Sequence, residues 1–495
     1  MSPKMKWYDY LAINSYWLGI NTTSAVMTPV LLPYLVLLFM PPEQKNTSLA
    51  TVRVIGLSVA MLIKPLAGML SDRNTSRWGR RRPYIMGGAL FNILFLVIIG
   101  ASTLFVDSSM DGFFGSTLGI PTAFFILILG YVLLQVSSNF ALGALQGLIP
   151  DQVPDNQRGR ASGVKAVLEL LPAFLVIFIG PLVDSGKIWL TLAIIMIGLL
   201  VTMLTTVLFV HEEPLQEKPK SSMREPALRM VALTVIFVLV SQLAVFVVKS
   251  AGTLLSGKGA SLGVQVALVG LAGLLAMAGS IFVGVYFGAR VGIGQEAREQ
   301  RPFILWVVNR LLFLSSVGSI QGFAQYYMSD VLQLENAATM TTTLLAVVAL
   351  FLMLAAIFGG MLADKIGRKR LIEVAGLVAA LGTLILLFAR NIPLVMVSGC
   401  IIGLGAGLFM ATNWALGTDL VPKNDAGRYL GISNLAGAGA GIVGTGIGGP
   451  MADFFNTLQP GLGYIIIFAI YGGLFVISTL VIHRIKVPKF HAAEG

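Results

Sequence analysis

The chain has 495 residues, of which 56% are hydrophobic and only 12% charged, with a mean hydropathy of +0.84, whereas soluble domains carry about 25% charged residues. This composition excludes a water-soluble fold and implies an all-α integral membrane protein. The net charge of +11 would suit nucleic acid in a soluble protein, but the basic residues gather in alternate short connections and in the tail, which is the positive-inside pattern rather than a nucleic-acid surface.

A bilayer core about 30 Å thick needs roughly 20 apolar residues per helix, and the chain offers run after run of that length, without the alternation of a β-barrel. The first six runs lie at about 10–39, 48–71, 83–106, 121–149, 160–184 and 187–210. The first, preceded by Lys4 and Lys6, reads as a retained helix rather than a signal peptide. His211 to Arg229, with four glutamates and three prolines, reads as a cytoplasmic linker. Eight further runs follow at about 230–250, 261–289, 303–329, 337–363, 371–389, 393–418, 428–452 and 463–483. The total is near fourteen, and an even number puts both termini in the cytoplasm.

Two stretches recur. Gly68 to Pro83 reads Gly-Met-Leu-Ser-Asp-Arg-Asn-Thr-Ser-Arg-Trp-Gly-Arg-Arg-Arg-Pro, and Gly360 to Arg370 reads Gly-Met-Leu-Ala-Asp-Lys-Ile-Gly-Arg-Lys-Arg. Asp151 to Gly163 aligns on Asp419 to Gly431 with seven of thirteen positions identical, and Gly180-Pro181-Leu182-Val183-Asp184 is echoed by Gly449-Pro450-Met451-Ala452-Asp453. The markers follow the second, fourth and fifth helices of each copy. This register divides the chain into a six-helix bundle over 1–210, a linker over 211–229, two inserted helices within 230–302, and a second six-helix bundle with a short tail over 303–495.

Two parallel six-helix repeats joined by a linker resemble the major facilitator transporters, and the loop stretch resembles that superfamily's Gly-x-x-x-Asp plus basic cluster. Within it, Pro65 to Arg73 with Trp78 to Pro83, and Asn413 to Pro422, look most like the glycoside-pentoside-hexuronide and sucrose-transporter-like branch. Bacteriochlorophyll-delivery proteins are also similar. The resemblance implies a monomeric secondary transporter in the cell membrane, carrying a small polar solute, a sugar or glycoside, with a proton. The alternative is a non-transporting factor that binds and delivers a pigment or lipid.

The motif residues suggest a gate. Gly68 and Gly360 permit close helix approach. Asp72 and Asp364 can accept charge-assisted bonds from Arg80, Arg81, Arg82 or Arg368, or face a helix N-terminus, in one access state only. Charges within the apolar runs are expensive and usually functional. Glu169 is a proton-coupling candidate or, equally, the i,i+4 partner of Lys165. Arg310, beside Asn309, is a substrate-site candidate or a snorkelling arginine. Asn14, Trp17, Gln135, Asn139, Gln321, Tyr326, Asn413 and Trp414 fall on helices that line the cavity in the resembled family, where amides and aromatic faces suit a sugar; helix–helix hydrogen bonding explains them as well. Melibiose-type members use intramembrane aspartates for a cation, and this chain has none at the corresponding segments. Where relatives often carry an acid before Trp-Ala-Leu, it has Asn413.

No phosphate-binding Gly-x-x-x-x-Gly-Lys-Ser/Thr loop occurs. The three histidines and the single Cys400 form no metal cluster or triad, and no cofactor is expected.

Overall fold

In lipid every backbone N–H and C=O must be satisfied within its own segment, so long apolar runs fold as helices. A computed structural model describes residues 5–215, 223–257, 259–292, 294, 300–421 and 426–485, with the backbone alone at Gly292, Asp364 and 426–436. Among these residues there is no strand. Fourteen long helices follow in order: α1 Trp7–Phe39, α2 Pro42–Ser71, α3 Arg82–Phe105, α4 Thr122–Gln152, α5 Asp155–Phe178, α6 Ile188–Phe209, α7 Arg224–Gly257, α8 Leu262–Val291, α9 Arg301–Asp330, α10 Ala337–Ala363, α11 Arg368–Phe388, α12 Ile392–Asp419, α13 Ala426–Leu458 and α14 Leu462–His483. All but α13 are both long and apolar enough, among the described residues, to cross a membrane.

The all-helical architecture agrees with the sequence expectation to within a few residues at most helix ends. One difference is that α7 begins at Arg224, inside the stretch expected as linker. Glu225 and Arg229 form an i,i+4 ion pair there, which supports a helix in a polar segment. Residues 216–222 of the linker and the tail beyond 485 lie outside the described residues.

Contacts divide the chain into two compact units, Met1–Val231 with Gly322–Ala346, and Ala232–Gln321 with Val347–Gly495. In the first unit α4 packs on α2 and α3, while α1 packs on α5 and α6. In the second, α11 packs on α12 and α14, and α8 packs on α13 and α14. Phe237 of α7 lies against Gly284 of α8 and Gly439 of α13, so α7 and α8 are packed within the second unit. Its core holds Trp306, Phe313, Phe409 and Phe455, all buried, with the Phe313 and Phe409 rings stacked at 3.8 Å between centroids.

Outward stripes remain apolar. Leu239, Leu243 and Phe246 on α7 are 63%, 64% and 67% exposed, a pattern that in water would invite association and in lipid is simply solvated.

Helix α1 is irregular at Met27–Leu31, a π-turn that contains Pro29. Pro33, four residues on, lacks the N–H that a regular helix would offer to the carbonyl of Pro29.

Candidate functional site

The repeated loops are built alike. Gly79 at φ +100° and Gly367 at φ +90° each turn the chain into the next helix, a left-handed backbone that favours glycine. The arginine that follows each glycine then meets the aspartate at the end of the fourth helix of its copy. Arg80 pairs with Asp151, and Arg368 pairs with Asp419. In the first copy Arg81 adds a second layer: it lies 2.5 Å from Asp72 and 2.9 Å from Asp151, and donates to Ser71 Oγ at 2.6 Å. Glu212, beyond α6, accepts the backbone N–H groups of Arg81 and Arg82 at 2.8 and 2.9 Å. Burial pushes its carboxyl above the usual carboxylate range despite those bonds.

Gly68 faces the carbonyl of Gly143 in α4, where an added Cβ would stand 3.5 Å away. The tighter position is Gly143 itself, where a Cβ would come within 2.7 Å of the Gly68 nitrogen. At Gly360 a Cβ would meet no atom within 4 Å. The Asp364 side chain lies outside the described residues.

Inside the first unit, Lys165 and Glu169 of α5 form an ion pair at 3.3 Å, and the Lys165 ammonium stands 4.1 Å from the centre of the Trp17 ring. Asn14 is fully buried and donates to the carbonyls of Tyr10 and, across to α5, Ala161 at 2.9 and 3.1 Å. On α4, Asn139 donates to the Gln135 carbonyl at 2.8 Å, and Gln135 donates to the Tyr131 hydroxyl at 2.9 Å.

The second unit brings Asn309, Arg310, Asn413 and Trp414 into one cluster. Arg310 Nη1 donates to Asn413 Oδ1 at 2.9 Å. Asn413 Nδ2 donates to Asn309 Oδ1 at 3.2 Å, and Asn309 Nδ2 donates to Ser478 Oγ at 2.8 Å. The guanidinium carbon stands 5.1 Å from the Trp414 ring and 6.0 Å from the Trp306 ring, and the Trp306 indole N–H donates to the Asn413 carbonyl at 2.9 Å. A cation over a desolvated indole gains about 2 kcal/mol.

Tyr326 and Gln321 fall elsewhere. Gln321 is exposed. The end of α9 packs inside the first unit, where Tyr326 donates its hydroxyl to the Pro33 carbonyl at 2.9 Å. With its amide oriented to donate, Gln325 lies 2.8 Å from the Val30 carbonyl and 3.0 Å from the Pro29 carbonyl. Lys45 pairs with Asp330 at 2.7 Å. Asp184 accepts the N–H groups of Ala338 and Thr339 at the start of α10, at 3.0 and 2.8 Å.

Sequence reasoning missed Trp306, Asp151, Asp419, Glu212 and Asp184 as site residues. For four of them a signal existed: Asp151 and Asp419 open the repeated thirteen-residue stretch, Asp184 closes the repeated Gly-Pro-x-x-Asp, and Trp306 shares a helix with Arg310. Trp306 stands one helical turn before Arg310, a spacing that puts both on one face. Nothing in the sequence marked Glu212, because its partners are backbone groups. Among the described residues no three His, Cys, Asp or Glu side chains gather to hold a metal ion.

Three partial sequence likenesses are informative. The chain is 31% identical over 138 residues to the minor myo-inositol transporter of Bacillus subtilis, covering 28% of this chain and 30% of that protein. It is 29% identical over 210 residues to the general alpha-glucoside permease of Schizosaccharomyces pombe, covering 41% and 37%. It is 30% identical over 155 residues to a sucrose transport protein of Arabidopsis thaliana, covering 31% and 29%. The aligned stretches thus span about a third of these curated relatives.

Among solved structures, a D-xylose-proton symporter superposes with a TM-score of 0.63 at 16% identity, covering 97% of this chain and 98% of that one. A POT family transporter in complex with 5-aminolevulinic acid gives 0.62 at 16% identity, covering 96% and 95%. At such identities these likenesses establish the fold. The model of the Major Facilitator Superfamily matches residues 15–320 and 305–493, and this multi-pass membrane chain therefore belongs to the Major Facilitator Superfamily.

Proposed function

We propose that the chain is a secondary active transporter that moves a small polar organic solute, of the sugar or glycoside class, by alternating access with a coupled proton. The observation that carries this reading is the pair of intramembrane clusters. Each unit places a cation against an indole inside its span; Asn14, on the helix of Trp17, bonds the helix of Lys165, and Asn413 bonds Arg310. Isolated charges at the bilayer centre cost about 2.5–3.5 kcal/mol on insertion scales, so their retention argues for use. Indole faces with amide donors suit a polyol. Inositol, glucoside and sucrose carriers among the partial relatives, and a xylose–proton symporter among the similar folds, support the class.

In this reading Glu169 is the proton acceptor: protonation cancels its pairing with Lys165 and changes the charge of the span. The loop cluster around Arg81 is a cytoplasmic latch, so both termini are cytoplasmic and the membrane is the cell membrane. The working halves are 1–210 and 303–495, with the pair of helices within 230–302 as an insertion.

The test is solute uptake into proteoliposomes under an imposed pH gradient, wild type against Glu169→Gln. Uptake of a sugar that accelerates with the gradient in the wild type and loses that dependence in the variant is expected. Gradient dependence that survives the substitution removes Glu169 from coupling, and no uptake of any sugar removes the transport reading.

A further inference from the structure

Lys165 and Arg310 are neutralised differently. Lys165 has a carboxylate, that of Glu169, at 3.3 Å. Arg310 has an amide oxygen at 2.9 Å and two indole rings, but no carboxylate in ion-pair reach among the described residues. Its Nε–H is enclosed and has no hydrogen-bond acceptor. The nearby polar groups are committed: Asn413 to Asn309, and Asn309 to Ser478.

A guanidinium keeps its proton under all ordinary conditions. Its charge must therefore be met by an opposite charge or remain within the span, where indole faces and one amide compensate it only partly. A guanidinium also offers donors in a planar fork, matched to the two oxygens of a carboxylate or phosphate.

We propose that the missing charge is the substrate's, and that the solute bound at Arg310 and Trp414 carries an oxyanion. One oxygen accepts the Nε–H and a second accepts a neighbouring guanidinium N–H, while an apolar face of the solute lies on the partly exposed Trp414 ring. Asn413 is the position that keeps the site open. An aspartate there would stand 2.9 Å from the guanidinium and neutralise it from within. This inference rests on Arg310 belonging to the substrate site proposed above.

The test is ligand-dependent thermal stabilisation of the full chain in phosphatidylcholine nanodiscs. D-Glucuronate and D-glucose 6-phosphate are compared with D-glucose, which shares their ring but not their charge. Both anions are expected to stabilise the wild type, with half-maximal concentrations at least about tenfold below that of glucose. Arg310→Gln and Asn413→Asp should abolish the anion shift, and Arg310→Lys, which keeps charge without the fork, should retain a weaker one. Equal stabilisation by glucose, no shift with either anion, or an anion shift that survives Arg310→Gln overturns the proposal. Loss of the shift in phosphatidylglycerol nanodiscs would give the guanidinium to a lipid headgroup and overturn it too. Gradient-driven glucose uptake indifferent to Arg310→Gln would overturn the oxyanion while leaving the transporter standing; anion binding that depends on Arg310, with no uptake of any solute, would do the reverse.

Discussion

Asp184 grips the first turn of α10 through Thr339: one carboxylate oxygen accepts both the backbone N–H, at 2.8 Å, and the hydroxyl, at 2.5 Å, of that residue. The other oxygen takes the N–H of Ala338 at 3.0 Å. A carboxylate facing three donors at a helix N-terminus satisfies groups that otherwise have no intrahelical partner. Asp184→Ala should cost about 1–3 kcal/mol and raise hydrogen exchange at the start of α10, with Asp184→Asn intermediate. Unchanged exchange at residues 338 and 339 would count against this role.

Gln325 and Pro33 form a second coupled pair. Gln325 donates toward the Pro29 carbonyl because Pro33 has no N–H to offer it. Gln325→Leu should therefore destabilise the wild type by about 1 kcal/mol and the Pro33→Ala variant by less, since alanine restores a backbone donor. A double-mutant cycle by thermal unfolding reads this coupling, and additivity within about 0.3 kcal/mol would refute it.

The loop cluster ranks its own carboxylates. Asp151 bonds both Arg80 and Arg81 and its side chain is 20% exposed, whereas Asp72 bonds Arg81 and is 51% exposed. Exposed pairs are worth about 0.2–1 kcal/mol and buried ones more. Asp151→Asn should thus lower the melting temperature further than Asp72→Asn. The reverse order would show that exposure does not set the strength of these ion pairs.

Glu212 predicts a pH dependence. Burial raises its folded-state carboxyl above the ordinary value, so its contribution to stability is full at acid pH and declines as pH rises through that raised value. The melting temperature of the wild type minus that of Glu212→Gln should fall as pH rises above the ordinary carboxylate range. A difference that stays flat or grows with pH would mean that the Arg81 and Arg82 backbone donors outweigh burial.

Much of this molecule can be read before folding. Helix existence follows from run length, because an apolar run in lipid has no other way to satisfy its backbone. The ion pair of Lys165 and Glu169 follows from their i,i+4 spacing, and the repeated Gly-Arg at 79–80 and 367–368 follows from a turn that needs positive φ. Arg310 stands out as a lone cation in an apolar run, but its uncompensated state does not, since that depends on which side chains surround it.

The sequence by itself determined the membrane class, the helices and the repeated loop motif, because each rests on composition, local periodicity or internal symmetry, and the likeness of that motif to a known superfamily pointed to the family. Only the tertiary structure decided which partner each polar group meets. Asp184 reaches Thr339 across 155 positions, Glu212 reaches Arg81 across 131, and Arg310 reaches Asn413 across 103. Such meetings depend on how helices cross and which faces they present, and no local rule of spacing contains that information.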